Sequence, residues 1–506
     1  MTTGERHGEW FACCSELESV IDGMRTGSVL NLLASVSVLL VLLVGCFGPA
    51  HPSASTTGVA FATPQTFPVG KGPNGLASAD INADGKADLV VANTGDGTVS
   101  VLINSTVAVT TTTVASSPAT STSGSPSPSP SPSPSPSASP SPSPAVVVLS
   151  SPFNYSAGTA PISVTTADID SDGRPDIVVG DSDGVMGVLL NTSATNTQSP
   201  TFSRFFAFQS GGALSQQVIV ACADINGDGR PDVVAANQGG SSISIFLNTT
   251  VSSLEPKFAG PYTFGTGAGP QQVVLRDVNG DGFIDVITPN SDGTVTVLLG
   301  STPAVSVIPN PPAPTFIKTY TFAVGNGACN AVVVADIDSD GKLDLAVATG
   351  NGNVAMLRNT TTTSASPTPS PASTVTLTAL NASSDLSFDK PRIFGMNGTP
   401  SWLVSGAFAV SGRDDLAAPV TANNNVSVLV NRSSSGSFSF DDGDRWNAAT
   451  GPLLVLAIDV DGDGKTDLVT SDSPINQIAV LMNVSTETQT QASSSPTVSR
   501  SPTSSL

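Results

Sequence analysis

Histidine is almost missing from this chain: among 506 residues only His7 and His51 carry an imidazole, and both precede every repeat described below. Histidine-dependent nucleophile activation, acid/base relays and most zinc hydrolase sites are therefore excluded from the body of the protein. Cysteine is scarce as well. Cys13, Cys14 and Cys46 lie near the N-terminus, while Cys222 and Cys329 stand in non-neighbouring repeats, so neither a disulfide framework nor a zinc cluster is encoded. Both later cysteines are expected as free thiols buried as small side chains. Aromatic residues make up 5 % of the chain, and 19 basic residues face 40 acidic ones for a formal charge of −21. That balance disfavours nucleic acid as a partner, although much of the acid sits in loops where a cation would neutralise it.

One long uncharged apolar run exists, Val29 to Val44, and it directs the chain out of the cytoplasm. Residues 1–28 form a polar N-terminal segment and 29–47 a signal or anchor segment. Three fates stay open: cleavage, retention as a signal anchor, or lipidation at Cys46, because Leu43-Val44-Gly45-Cys46 resembles a lipoprotein box. The expected location is secreted or cell-surface. A membrane would be a partner through residues 29–47 if they are uncleaved or lipidated.

What the chain does contain is one acidic motif written six times, Asp-x-(Asp/Asn)-x-Asp-Gly-x-x-Asp. The copies are Asp80-Asn82-Asp84-Gly85-Asp88, Asp168-Asp170-Asp172-Gly173-Asp176, Asp224-Asn226-Asp228-Gly229-Asp232, Asp277-Asn279-Asp281-Gly282-Asp285, Asp336-Asp338-Asp340-Gly341-Asp344 and Asp459-Asp461-Asp463-Gly464-Asp467. Oxygen ligands at positions 1, 3 and 5 turn inward when a loop wraps a hard cation, and glycine at position 6 takes the sharp turn. The pattern suits Ca2+ at up to six sites better than magnesium, which prefers rigid octahedra with retained water. The final carboxylate comes at position 9, not at the EF-hand's 12, and apolar β-rich runs flank each loop, so it joins strands. A seventh, eroded copy spans Ala407 to Asp415, with alanine at positions 1 and 3 and serine at 5. It is expected to keep the hairpin and lose the metal.

The repeats recur about every 50 to 60 residues with four short strands each, A to D, the acidic loop joining A and B. The fold class expected is all-β: a seven-bladed propeller over residues 59–483. The last unit lacks its fourth strand, and Val59 to Val69 are expected to supply it and close the ring. Pro/Ser-rich inserts at 107–145 and 360–373 follow strand C, and 484–506 read as a disordered Ser/Thr tail. Sequons stand at Asn104, Asn154, Asn191, Asn248, Asn359, Asn381, Asn397, Asn425, Asn431 and Asn483, several of them where asparagine also serves a turn.

These residues resemble the FG-GAP (VCBS) repeat family, whose seven-bladed propellers head integrin α subunits and many surface proteins. Phe264-Gly265-Thr266-Gly267-Ala268-Gly269-Pro270 is similar to its name motif. The resemblance implies the motif side chains above as calcium ligands, joined by the backbone carbonyls at position 7: Lys86, Arg174, Arg230, Phe283, Lys342 and Lys465. It says little of activity. The function expected is a calcium-binding adhesion or ligand-binding module without catalysis or catalytic residues, its partner a surface glycan or protein. The alternative is a polysaccharide-active lyase or hydrolase on the same propeller, since paired acids abound. The expected binding face carries the B–C turns, Asn93 to Gly97, Gly180 to Gly184, Asn237 to Ser241, Asn290 to Gly293, Thr349 to Asn353 and Thr421 to Asn425. Trp402 and Trp446 do not fall at matching turns, which weakens a repeated lectin site.

Overall fold

The computed structural model describes residues 58–107, 146–211, 216–251, 255–301, 313–325, 327–362, 385–409, 412–441 and 443–485. The N-terminal segment, the 29–47 run, nearly all of both Pro/Ser-rich inserts, Asn381 and most of the tail lie outside them. The described strands run from β1 (Gln65–Pro68) to β28 (Gln477–Leu481) and form seven four-stranded antiparallel sheets.

The first blade shows why each segment takes its place. β2 (Pro73–Ala79) alternates buried and half-buried positions, and β3 (Asp88–Asn93, Asp-Leu-Val-Val-Ala-Asn) is buried throughout. Such a run suits a strand covered on both faces. β4 (Thr98–Leu102) follows, and β5 (Phe153–Ser156) alternates half-buried with exposed residues, as the outermost strand must. The innermost strands are β2, β6 (Pro161–Ala167), β10 (Val218–Ala223), β14 (Val274–Arg276), β18 (Cys329–Ala335), β22 (Val404–Gly406) and β26 (Pro452–Ile458). Each touches the next, and β26 touches β2, so the seven sheets stand around one axis as propeller blades. Cores form between blades: Val90, Val99 and Val101 of blade 1 pack with Ile177, Val179 and Leu189 of blade 2.

The last sheet orders as β26, β27 (Asp467–Asp472), β28 and then β1, with Gln65 opposite Val480 and Pro68 opposite Gln477. Of the expected stretch 59–69, Gln65–Pro68 form the strand, and Phe61 makes a further bridge to Asn483. The chain stays engaged through Ser485, two residues past the expected boundary: the Val484 N–H donates to Ala60 O, and Ser485 is buried.

An aromatic belt joins the outer strands. Tyr155–Phe202, Phe208–Phe258, Phe264–Phe316, Phe322–Phe388, Phe394–Phe440 and Trp446–Phe61 each link one blade to the next, with centroids 4.9–5.6 Å apart and steep interplanar angles. Edge-to-face pairs of this kind add about 0.5–1.5 kcal/mol beyond burial. Phe61 thus holds the place in blade 7 that Phe202 or Phe258 holds in its own blade.

A second link between blades comes from the asparagine ending strand C. The Nδ2 group of Asn104 donates to Val460 O of the preceding blade, Asn191 to Ile81 O, Asn248 to Ile169 O, Asn359 to Val278 O, Asn431 to Ile337 O and Asn483 to Phe408 O, at 2.8–3.1 Å. The same group donates its second hydrogen within its own blade, to Ala87, Pro175, Pro231, Leu343, Asp414 and Thr466 carbonyls respectively. Blade 4 has Gly300 here, because a Cβ would lie 2.4 Å from Ile284 O. That junction has no such bridge.

This finding gives six of the sequons a structural duty. Asn104, Asn191, Asn248, Asn359, Asn431 and Asn483 are only 0–3 % exposed, and the nitrogen a glycan would occupy already donates two hydrogen bonds. Asn425 is buried too, which leaves Asn154 and Asn397 exposed among the described sequons. Glycopeptide mapping of the chain secreted by a glycosylating host is expected to find sugar at Asn154 or Asn397 and none at the six bridging residues. Asn248→Ala strands two buried carbonyls and is expected to cost about 2–4 kcal/mol in urea unfolding.

Candidate metal centres and the axial face

Every acidic loop leaves the end of an innermost strand and returns into the buried strand beside it, so its last aspartate is drawn into the blade. Asp88, Asp176, Asp232, Asp285, Asp344 and Asp467 are 0–1 % exposed. One oxygen of each accepts the N–H at position 2 of its own loop, and the other accepts the N–H of the residue ending strand C, at 2.7–3.2 Å. Burial pushes these carboxyls up, to about 6 for Asp88 and about 7 for the other five; the two N–H donors oppose the shift and neighbouring loop carboxylates add to it.

The first half of each loop is fixed by its own backbone. The carboxylate at position 1 (Asp80, Asp168, Asp224, Asp277, Asp336, Asp459) accepts the N–H of the position-6 glycine at 2.7–3.0 Å. Those glycines have φ between +84° and +90°, and a Cβ on them would meet nothing within 4 Å, so conformation alone demands glycine.

The structure gathers some expected ligands and turns others aside. In blades 2, 5 and 7 oxygens of positions 1, 3 and 9 lie within 4.8 Å of one another: Asp168, Asp170 and Asp176; Asp336, Asp338 and Asp344; Asp459, Asp461 and Asp467. Asp170 Oδ1 is buried without a hydrogen-bond partner. In blades 1, 3 and 4 position 3 is Asn82, Asn226 or Asn279, and its Nδ2 donates to the position-5 carboxylate. Position 5 (Asp84, Asp172, Asp228, Asp281, Asp340, Asp463) is not among the groups gathered in blades 2, 5 and 7, and in all six loops it accepts the N–H of position 7 at 2.9–3.0 Å. At position 7, Arg174 and Lys465 also pair with Asp172 and Asp463, while Arg230 reaches Thr250 O. Crowded carboxylates, a buried oxygen without a donor and hard oxygen chemistry throughout fit a calcium ion.

The eroded copy keeps its hairpin. Asp415 accepts from Phe408, Ala409 and Asn431 N–H groups, and burial raises its carboxyl with no neighbouring carboxylate adding to the shift. Val410 and Ser411 lie outside the described residues.

On the opposite face three B–C turn asparagines donate within their own hairpins, while Thr94, Gln238 and Thr421 reach the next blade, at Pro161, Gln271 and Pro452. The Nδ2 group of Asn93 donates to Thr98 and Ser100, that of Asn237 to Ser242 and Ser244, and that of Asn290 to Thr294 and Thr296. Here the hairpin explanation accounts for the asparagines. Polar groups at the starts of the innermost strands, such as Gln217, Gln272 and Asn330, line the axis instead. They stand four to six residues before the ends of β10, β14 and β18, but β6 and β26 have no such amide, so no periodic signal marks them in the sequence. Cys222 and Cys329 are free thiols, both pushed up by burial.

Comparison with known proteins follows the geometry. The FG-GAP repeat family profile matches residues 72–102, the three inner strands of blade 1, and the FG-GAP-like repeat profile matches 224–288, from the blade 3 loop into blade 4. No curated protein sequence matches the chain. Among solved structures, the crystal structure of BBS1N in complex with ARL6DN, soaked with mercury, is similar at 9 % identity and a TM-score of 0.48, covering 85 % of this chain and 98 % of that one. A protein from Lactobacillus plantarum is similar at 11 % identity and 0.45, covering 75 % of this chain and 86 % of that one. At that level the two structures add nothing to the reading of the site. Seven four-stranded blades thus carry FG-GAP repeats at residues 72–102 and 224–288, where acidic loops of blades 1, 3 and 4 sit.

Proposed function

We propose that this propeller is a secreted or cell-surface module that binds calcium in its six intact loops and holds a partner by adhesion, without catalysis. The observation that carries the reading is the convergence of positions 1, 3 and 9 in blades 2, 5 and 7. The residues that would hold the ion are the Asp and Asn side chains at positions 1, 3, 5 and 9 with the carbonyl at position 7. When bound, calcium supplies positive charge that offsets carboxylate repulsion and ties the loop to the blade. The chain's own contribution is to hold position 9 between two backbone N–H groups, so that the buried end of the loop is set by the fold.

The polysaccharide-cleaving alternative has one residue in its favour. Asp472, in β27, has a carboxyl that burial pushes up to about 7, with one oxygen lacking a hydrogen-bond partner. It is fully buried, and no neighbouring carboxylate contributes to its shift, so the second acid that glycoside cleavage requires does not accompany it.

Five loop carboxyls rise to about 7 from an ordinary value near 3.8. A carboxyl raised on folding contributes stability that is fully present below its unfolded value and is lost as pH rises through the folded one. In chelator the melting temperature is therefore expected to fall between pH 5 and pH 8, and calcium is expected to restore it at pH 8 by binding the ionised loops. A melt in chelator that is flat across this range would contradict the assignment. For the module itself, the full chain is incubated with immobilised polysaccharides and cell-surface extracts in calcium and in chelator. Retention in calcium alone, with no sugar released, is expected; released product would establish the enzyme instead.

A further inference from the structure

The innermost strands enclose a cavity of about 480 Å3 on the propeller axis. Asn74, Gln217, Gln272 and Asn330 line it from at or near the starts of β2, β10, β14 and β18, so it lies toward the face away from the acidic loops, which leave the other ends of those strands. In a chain of formal charge −21, not one residue lining this cavity is charged.

The amides are arranged, not merely present. Gln272 Oε1 accepts the Val332 N–H at 2.7 Å, and Asn330 Nδ2 donates to Pro400 O at 2.8 Å. Each bond holds one end of an amide and leaves the other, a donor on Gln272 and an acceptor on Asn330. Among the described residues, nothing bonds the side chains of Asn74 and Gln217. Trp402, half-buried, lines this cavity and also a second one of about 260 Å3, so its indole stands where the two meet.

The chemistry selects a ligand class. An anion would find no cation here and a cation no carboxylate, while a wholly apolar molecule would strand the amides. A pyranose matches: its C–H face lies on an indole, and its hydroxyls both donate to and accept from carboxamides. The volume falls within the usual range of about 300–1,000 Å3 for small-molecule sites. We propose that the axial cavity binds a short, uncharged saccharide, with Trp402 as stacking platform and Asn74, Gln217, Gln272 and Asn330 as hydroxyl partners. The proposal rests on the ligand-binding reading above and gives it a site.

The test titrates the full chain, in calcium, with lactose, maltose, cellobiose and, as the charged counterpart, digalacturonate, by calorimetry and tryptophan fluorescence. At least one neutral disaccharide is expected to bind and to alter the emission. Gln217→Ala and Asn74→Ala break no internal bond and are expected to weaken binding about tenfold with an unchanged melting temperature; Trp402→Phe keeps an aromatic ring for packing and is expected to remove most of the emission change. Affinity unchanged in all three variants would place the sugar elsewhere and overturn the proposal. Preference for digalacturonate would overturn it as well. Should none of these sugars bind while cell-surface extract still retains the chain in calcium, the cavity proposal fails and the adhesion reading survives; failure of both experiments removes both.

Discussion

The structure depends on a pair of buried groups repeated around the ring: the last aspartate of each acidic loop and the residue that ends strand C. The aspartate accepts one N–H from its own loop and one from that residue, as Asp232 does from Ile225 and Asn248. The asparagine side chain then crosses to the preceding blade, so one unit fixes loop shape, hairpin register and blade spacing together. Removing either partner leaves a buried polar group unsatisfied, which costs more than a typical bond contributes. The arrangement is therefore held by penalty as much as by attraction.

Blade 6 separates the two duties of the motif. It has lost the oxygens at positions 1 and 3 yet keeps Asp415 accepting from Phe408 and Asn431, and Asn431 still reaches Ile337 O. Position 9 keeps its buried N–H partners even where positions 1 and 3 have lost their oxygens, whereas the bonds of positions 1 and 5 in the intact loops stay within the loop itself. Blade 4 separates them in the other direction. Its acidic loop is intact, but Gly300 removes the bridge because the backbone of Ile284 passes too close for any side chain. Loop chemistry and blade bridging are thus independent properties that usually travel together.

Much of this was legible in the sequence because it repeats. Six loops in phase, apolar runs on both sides and phenylalanines at one interval carry their meaning through periodicity, and Val59 to Val69 could be assigned to the last blade because that unit alone lacked a fourth strand. The sequons stay ambiguous in the sequence for a physical reason: Asn-x-Ser/Thr describes a glycan acceptor and also a turn in which the asparagine Oδ1 accepts the N–H two residues on, as Asn248 does from Thr250. Only burial tells the two apart. The axial amides were illegible because they do not repeat; Gln217, Gln272, Asn330 and Trp402 differ from blade to blade and become a group only when the ring brings them to one axis.

The same inner strands carry cavity residues at one end and lead into acidic loops at the other: Asn74 on β2 with Asp80 just past its end, Asn330 on β18 with Asp336 just past its end. Six residues of extended chain span about 20 Å, well beyond the screening length of about 8 Å at physiological salt. A cation in the loops consequently has little direct electrostatic hold on the cavity. Any calcium dependence of binding at the axis has to travel as stiffness, through loops drawn tight against the buried aspartates and blades held at their spacing by the asparagine bridges. The junction before blade 4 lacks that bridge, and it is also the one where Gln271 and Gln272 join the cavity wall.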